Sequence, residues 1–452
     1  MPTHHSSHLR LILALVAMGA GLCAMLLPPE YRAVTEQLLS FPDSDVTAQN
    51  ARPLVIATLC FLPALASIIY ACGGTLDRYV TRQFLGIFTI CLSALCLIFL
   101  LIDASGRVGD FLSTGHFLST FLIFYACRFP AIILVLLPYS MLLALLHSLG
   151  KLSTNREIIA MVQSGRGIVR ISLPLIIAGT LCSIFNLGLN YHWAPIAEGR
   201  QDEVLAQASD KPATKATQVL YHNTENRRLW MIGAFPPNYQ KDQPLRNIEI
   251  TTTDANYRLS SRLFASHALW DRSSRQWTFD NPVLGNYTPG RPPIFKQLDG
   301  PLTINGWSET PWQLIKPGLS AIYLGIPDLN AWLQANSRHQ PFADAAPYLT
   351  QWHYRWAFPC ACLVTVLLAT PLAIHFSRRG PGGGIFLAVV LSAIMLLVSN
   401  IVLAFGAAGT LHPALAAWLP NIAFTALGLY LFHRRVSGRP IYQSLRRLFS
   451  SE

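Results

Sequence analysis

The residues best placed to do chemistry in this 452-residue chain lie between 150 and 170, Gly-Lys-Leu-Ser-Thr-Asn-Arg-Glu-Ile-Ile-Ala-Met-Val-Gln-Ser-Gly-Arg-Gly-Ile-Val-Arg. Thr154 and Glu157 have the spacing of a capping box, in which a hydroxyl and a carboxylate satisfy backbone amides at a helix start. Gly165 is a natural stop, since glycine accepts the left-handed backbone that ends helices. The helix so bounded, 154–164, begins at Thr154, Arg156 and Glu157 and sets Ile158, Met161 and Val162 on one face. A short amphipathic helix of this kind either lies on a membrane surface or fits a groove on a partner, and the residues alone favour neither.

A second set is Asp103, Arg107 and Arg128. The two arginines are the only basic residues in the connection 104–129, and a guanidinium there suits an anionic lipid headgroup. Asp103, one turn before Arg107, reads either as a solvated helix end or as part of the same site. Other chemistry is absent from the sequence. The nine cysteines all fall in or beside apolar stretches, with no CxxC pair, and His4, His5 and His8 read as a terminal tract rather than a metal site. No G-x-x-x-x-G-K-[ST], G-x-S-x-G or H-E-x-x-H occurs, so no cofactor is expected in this chain, and any ATP would be bound by a partner subunit.

The elements that must position these residues follow from hydropathy. The chain is 52% hydrophobic and only 13% charged, about half the charge of soluble proteins. Eight stretches reach the roughly 20 residues that a membrane crossing needs: 9–28, 54–72, 84–103, 130–149, 172–192, 356–376, 384–406 and 413–432. The first exceeds a secretory h-region in length and lacks an A-x-A site, so it reads as a retained helix. With the amino terminus inside, the inside segments hold fourteen Lys/Arg against three Asp/Glu, a surplus equal to the whole net charge of +11. Basicity therefore expresses topology, and a nucleic-acid partner loses its support. Both termini are expected to be cytoplasmic, with residues 193–352 on the other side.

That insert lacks cysteine and must stand without disulfides. Pro195 to Asp210 read as a helical exit. Short β-like runs then follow at 216–221, 228–232, 247–252, 258–270, 276–284 and 294–298, separated by turn clusters. Trp270 and Trp277 flank one such cluster, as cross-strand aromatic partners do. A sandwich or jellyroll is expected, with residues 326–352 returning as helix. The fold class is thus an α-helical polytopic membrane protein of about eight spans with an inserted periplasmic β-jellyroll-like domain. Its parts are an extra helix pair at 1–74, a first bundle half at 75–195, the β domain with flanking helices at 196–352, a second bundle half at 353–435 and a basic tail at 436–452.

Several segments resemble the LptF/LptG permeases of bacterial lipopolysaccharide export. Leu149-Gly-Lys-Leu-Ser-Thr-Asn-Arg-Glu157-Ile-Ile-Ala-Met161 with Ser164-Gly165 is similar to the segment after that family's second core helix. Leu76-Asp-Arg-Tyr79 resembles its start, Trp193-Ala-Pro195 with Gln201-Asp-Glu203 its exit to the outside domain, and His412-Pro413 with Leu419-Pro420 its closing helices. The resemblance covers about residues 75–435.

It implies a subunit that extracts lipopolysaccharide, or a related anionic lipid, from the inner membrane in an ABC-type complex. The implied partners are an LptB-like cytosolic ATPase dimer docked on the helix at 154–164 with Glu157 as its acidic contact, a second LptF/LptG-type permease, and an LptC/LptA-like periplasmic bridge protein. Two departures stand out. Residues 1–74 precede the family core, and Asp103 occupies a region where the family tends to carry Lys or Arg. The rival expectations are an exporter of another envelope lipid and a membrane-anchored β-domain adaptor.

Overall fold

The computed structural model describes residues 3–40, 45–112, 117–199, 216–223, 226–236, 243–254, 258–271, 274–288, 292–315, 318–336, 342–374 and 382–437. Gln201–Glu203 and most of the basic tail lie outside these residues, as do the side chains of His4, His5 and His8.

Eight helices among them are long and apolar enough to cross a membrane, each overlapping one span expected from hydropathy. In chain order they are α1 (Thr3–Ser40), α2 (Val46–Cys72), α3 (Thr75–Gly106), α5 (Phe117–Thr154), α7 (Ile168–Tyr191), the span Ala345–Ala373 formed by α10 (Phe342–Ala357) and α11 (Ala361–Ala373), α12 (Gly382–Ala407) and α13 (Pro413–Val436). Short helices α4 (Val108–Leu112) and α6 (Glu157–Gln163) lie between spans at opposite ends of the bundle, and α8 (Pro311–Ile315) and α9 (Ile326–Asn336) follow the β domain. Most helices run past the expected limits because the hydropathy of the bilayer core marks only their middle. α5 and the α10–α11 span form the bundle centre. Met141, Ala144, Leu145, Val366, Leu368 and Ala369 are buried there with Ile171 and Leu175 of α7.

Strands β1 (Ala216–Asn223), β2 (Arg228–Phe235), β3 (Leu245–Thr253), β4 (Leu259–Asp271), β5 (Gln276–Asp280), β6 (Val283–Asn286), β7 (Ile294–Gln297) and β8 (Leu302–Asn305) form one antiparallel sheet of order β1-β2-β3-β4-β5-β8, with β6 bridging β4 and β7. Trp270 and Trp277 are register partners across the β4–β5 hairpin, their rings 5.0 Å apart, as their spacing predicts. The single run expected at 276–284 is two strands, split at Asn281, whose φ is +51°. β5 covers one half of β4 and β6 the other.

The sheet curls. Flat strands would put β2 and β5 about 14 Å apart, yet Trp230 and Trp277 lie 5.2 Å apart. A bend line crosses the strands at matching positions. Buried residues alternate by two in a strand, but here Ala216/Val219, Ile232/Phe235, Leu245/Ile248 and Ala265/Ala268 stand three apart and match in register. Gln218 and Asn247 between them have φ of +52°, and this left-handed backbone turns each strand out of its extended course. The curl closes a jellyroll-like core of Trp230, Trp277, Phe235 and Phe279, capped by Leu314 and Ile315 of α8.

The extra helix pair α1–α2 is built into the fold. α2 packs on α7 where Gly188 leaves room; a Cβ there would come within 2.5 Å of Leu59. Above it, Arg52 pairs with Glu30 and donates to Gln37 and Gln49, whose amides both donate to Asp328 at the start of α9. Polar groups this deeply buried persist only when hydrogen-bonded to one another.

Glu309 is fully buried in the β domain, 3.0 Å from Nε of Arg228, and accepts from Asn223 Nδ2 at 2.7 Å. Arg228→Ala leaves that carboxylate without its cation, which costs about 3–5 kcal/mol for a buried pair. Denaturant unfolding of the detergent-solubilised chain, followed by tryptophan fluorescence, should show a clearly lowered midpoint for the β-domain transition. An unchanged midpoint would mean that the pair carries no stability.

Candidate functional site

The loop between α5 and α7 is built differently from the capping box that its sequence predicts. α5 continues through Thr154, whose hydroxyl donates back to Gly150 O at 2.8 Å and so caps nothing. Arg156 precedes α6 in the left-handed conformation, φ +61°, and makes no side-chain cap. A two-residue link between helices of different direction needs such a turn, and this geometry displaces the cap. Gly165 stops α6 as expected. Its φ is +91°, with Arg166 N donating to Met161 O and Gly165 N to Val162 O, the paired bonds of a Schellman motif.

Ile158, Met161 and Val162, expected on one face, do not share a face toward a partner. Ile158 and Met161 are buried in the bundle core with Leu149, Leu152 and Ile171, and only Val162 is exposed. A seven-residue helix is secured by tertiary burial rather than by its own propensity, so its strongest apolar side faces inward. The outward surface is formed by exposed Arg156, Ala160, Val162 and Gln163, with Glu157 half-buried at its edge.

Both ends of this loop are tied to the first turns of α3, which spacing within 150–170 could not reveal. At one end Tyr79 Oη donates to Glu157 Oε2 at 2.8 Å, and Asn155 Nδ2 donates to Glu157 Oε1 at 3.1 Å. At the other, Arg166 and Arg170 pair with Asp77 at 2.7 and 3.4 Å. Asp77 also accepts from Gly74 N at 3.1 Å, closing the start of α3. The one available signal was charge: Asp77 is the sole acidic residue near the α2–α3 turn, opposite a loop holding four cations.

At the far end of α3 the structure brings Asp103, Arg107 and Arg128 together. Arg128 is not in a loop, as expected from the sequence, but in the fourth turn of α5. That helix begins at Phe117 because an aromatic cluster seats it: Phe111 of α4 is buried among Phe117, Phe121, Phe124 and Tyr125. Asp103 Oδ2 accepts from Tyr125 Oη at 2.8 Å and from Arg128 Nη1 at 2.7 Å, with Arg107 Nε at 3.6 Å. Asp103 is therefore an organising anion rather than a solvated helix end. Arg128 is held by it and lies over the Phe99 and Phe124 rings. Arg107 is the looser and more exposed cation, its side chain 26% accessible. The cluster carries a net positive charge beside apolar helix surface (Ile98, Leu101 and Ile102 of α3 are all exposed). That combination can take a phosphate on an acyl chain. No group of His, Cys, Asp or Glu fit to hold a metal ion occurs among the described residues.

A family model described as lipopolysaccharide export system permease LptF/LptG matches residues 78–434. The match takes in the loop between α5 and α7, the β domain and both bundle halves, and leaves α1 and α2 outside. The chain is 24% identical over 310 residues to the lipopolysaccharide export system permease protein LptF of Escherichia coli (strain K12), covering 67% of this chain and 79% of that protein. The LptF of Shigella flexneri matches to the same extent.

The geometry separates the two arginines. Arg128→Ala removes a charge-assisted bond from a carboxylate that is 17% accessible, worth about 1.5–3 kcal/mol where water is excluded and less where it screens. Thermal unfolding in detergent should shift down for Arg128→Ala and stay within error for Arg107→Ala. Equal shifts would show that Arg107 shares the structural load.

Proposed function

Because the chain belongs to the LptF/LptG family of lipopolysaccharide export permeases, we propose that it is a transmembrane subunit of an ABC-type complex that moves lipopolysaccharide out of the bacterial inner membrane. The observation that carries this reading is the extent of the family match, which spans both bundle halves, the loop helix and the β domain. It is a multi-pass inner-membrane protein. In the proposed orientation both termini are cytoplasmic and residues 193–352 periplasmic, supported by the concentration of Lys and Arg at the end of the bundle that bears α6.

In this reading the exposed side of α6 meets a cytosolic ATPase dimer of the LptB kind, which binds the ATP. Arg156, Glu157 and Val162 form the contact, while Ile158 and Met161 seat the helix from below and Thr154 ends the helix that delivers it. A second permease of the same family completes the cavity, and a periplasmic bridge protein of the LptC/LptA kind receives lipid from the β domain. At the outer end of α3, Arg107 contacts a lipid phosphate, and Asp103 holds Arg128 beside it.

Orientation is checked by single cysteines in a cysteine-free background. Cysteine at Asn226 should react with a membrane-impermeant maleimide from outside, and cysteine at Ser437 only after the membrane is opened. Reaction of both from the same side would contradict the eight-span topology.

Docking is checked by Glu157→Gln, which keeps size and hydrogen bonding but removes the charge. A carboxylate facing a partner cation across an interface loses on the order of 2–5 kcal/mol, about 30-fold or more in affinity. The variant should accumulate normally yet lose the co-purifying ATPase. Met161→Asp is expected instead to destabilise the whole chain, because its side chain lies in the core. Full retention of the ATPase by Glu157→Gln would remove Glu157 from the interface.

A further inference from the structure

The two candidate sites stand at opposite ends of one helix. α3 runs unbroken for 32 residues, about 48 Å. Among the described spans, only α3 and α12 lack the internal proline that marks most helix kinks. At its cytoplasmic end it is fastened to the α6 loop at two separated points, Tyr79 to Glu157 and Asp77 to Arg166 and Arg170. At its outer end it carries Asp103 and Arg107. Val80 and Phe84 seat its first turns in the core, but its most apolar window has no fully buried residue, whereas α5 beside it is largely buried.

We propose that α3 is the lever that carries the motion of α6 to the headgroup cluster, with Tyr79 and Asp77 as positioning residues that fasten the loop to it. This rests on the reading of α6 as the ATPase contact. The physical reason is stiffness. A loop held at one point can rotate about that point, whereas two ties at opposite ends of α6 oblige α3 to follow it. A proline-free helix with no fully buried residue past Phe84 shifts at less packing cost than the centrally packed α5. A rotation at Tyr79 thus becomes a displacement at Asp103, some 36 Å further along the axis. There it changes how Arg107 and the Arg128-bound Asp103 face a lipid phosphate. Tyr79 and Asp77 touch neither ATP nor lipid in this scheme, and they matter only for the coupling between the two events.

The test uses the full chain assembled with its partner permease and ATPase in proteoliposomes containing lipopolysaccharide. ATP hydrolysis and transfer of lipopolysaccharide to a soluble acceptor are measured together. Tyr79→Phe combined with Arg166→Gln removes one bond from each end of the loop. Lipid transferred per ATP should fall about tenfold while ATP hydrolysis changes by less than about twofold, the size of a typical coupling between sites. Arg166→Lys with Tyr79 intact keeps a cation at Asp77 and both ties, and should retain most of the yield.

An unchanged yield per ATP would overturn the lever. So would a parallel fall in hydrolysis and transfer in the double variant, since that pattern marks a loop whose fold or docking has failed. The wild-type assembly tests the underlying function separately: absence of ATP-driven transfer there would count against the permease reading itself.

Discussion

The interaction on which the rest depends is the carboxylate of Asp77. It is 9% exposed, closes the first turn of α3 through Gly74 N, and holds Arg166 and Arg170 at the entry to α7. Two chain segments far apart in sequence, 74–77 and 166–170, are thereby held together where the bundle ends. α6, only seven residues long, has no stability of its own. It keeps its place because Ile158 and Met161 are sunk into the core below and because the chain on either side is tied to α3. A buried carboxylate stripped of its cations is strongly unfavourable, so the fastening is not readily released by thermal motion. The outward surface of α6 is consequently presented in one orientation, as a docking surface must be.

The spans were legible in the sequence because the bilayer imposes length and hydropathy on any helix that crosses it, and the hairpin of Trp270 and Trp277 because side-chain period and turn residues act locally. What was not legible depends on contacts across the chain. Thr154 and Glu157 have capping-box spacing, but α5 continues through Thr154 and the link turns through a left-handed Arg156, a choice made by the packing of Leu149 and Leu152. Arg128 reads as a loop residue until the Phe111 cluster is seen to extend α5. The three-residue spacing of Ile232 and Phe235, repeated in three other strands, was visible as a pattern. Its meaning, a bend line across the sheet, requires knowing the register. Of the candidate site, residue identities at both ends came from the sequence. The ties through Tyr79 and Asp77 join positions nearly 80 to 90 apart and could not.

The α1–α2 pair shows how a polar network specifies position in an apolar setting. Helices in lipid gain little from apolar contact with one another, and hydrogen bonds and close approach of small residues decide where they sit. Here the network of Glu30, Arg52, Gln37, Gln49 and Asp328 joins the α1–α2 turn to the segment leaving the β domain, and Gly188 admits Leu59 against α7. The pair therefore braces the side of the bundle at α7. The Asp103 cluster, built from α3, α4 and α5 alone, is left open on its apolar flank.

Whether α3 moves as one body with α6 is the central claim, and distance measurement between spin labels tests it most directly. Labels at Ala160 on α6 and Gly106 at the outer end of α3, both exposed, report on the lever itself. A label pair at Gly106 and Ile184 of α7 reports its movement against the bundle. On addition of a non-hydrolysable ATP analogue to the assembled complex, the account predicts an unchanged Ala160–Gly106 distance and a changed Gly106–Ile184 distance. A change in the first with none in the second would contradict it, because α6 would then be moving without α3.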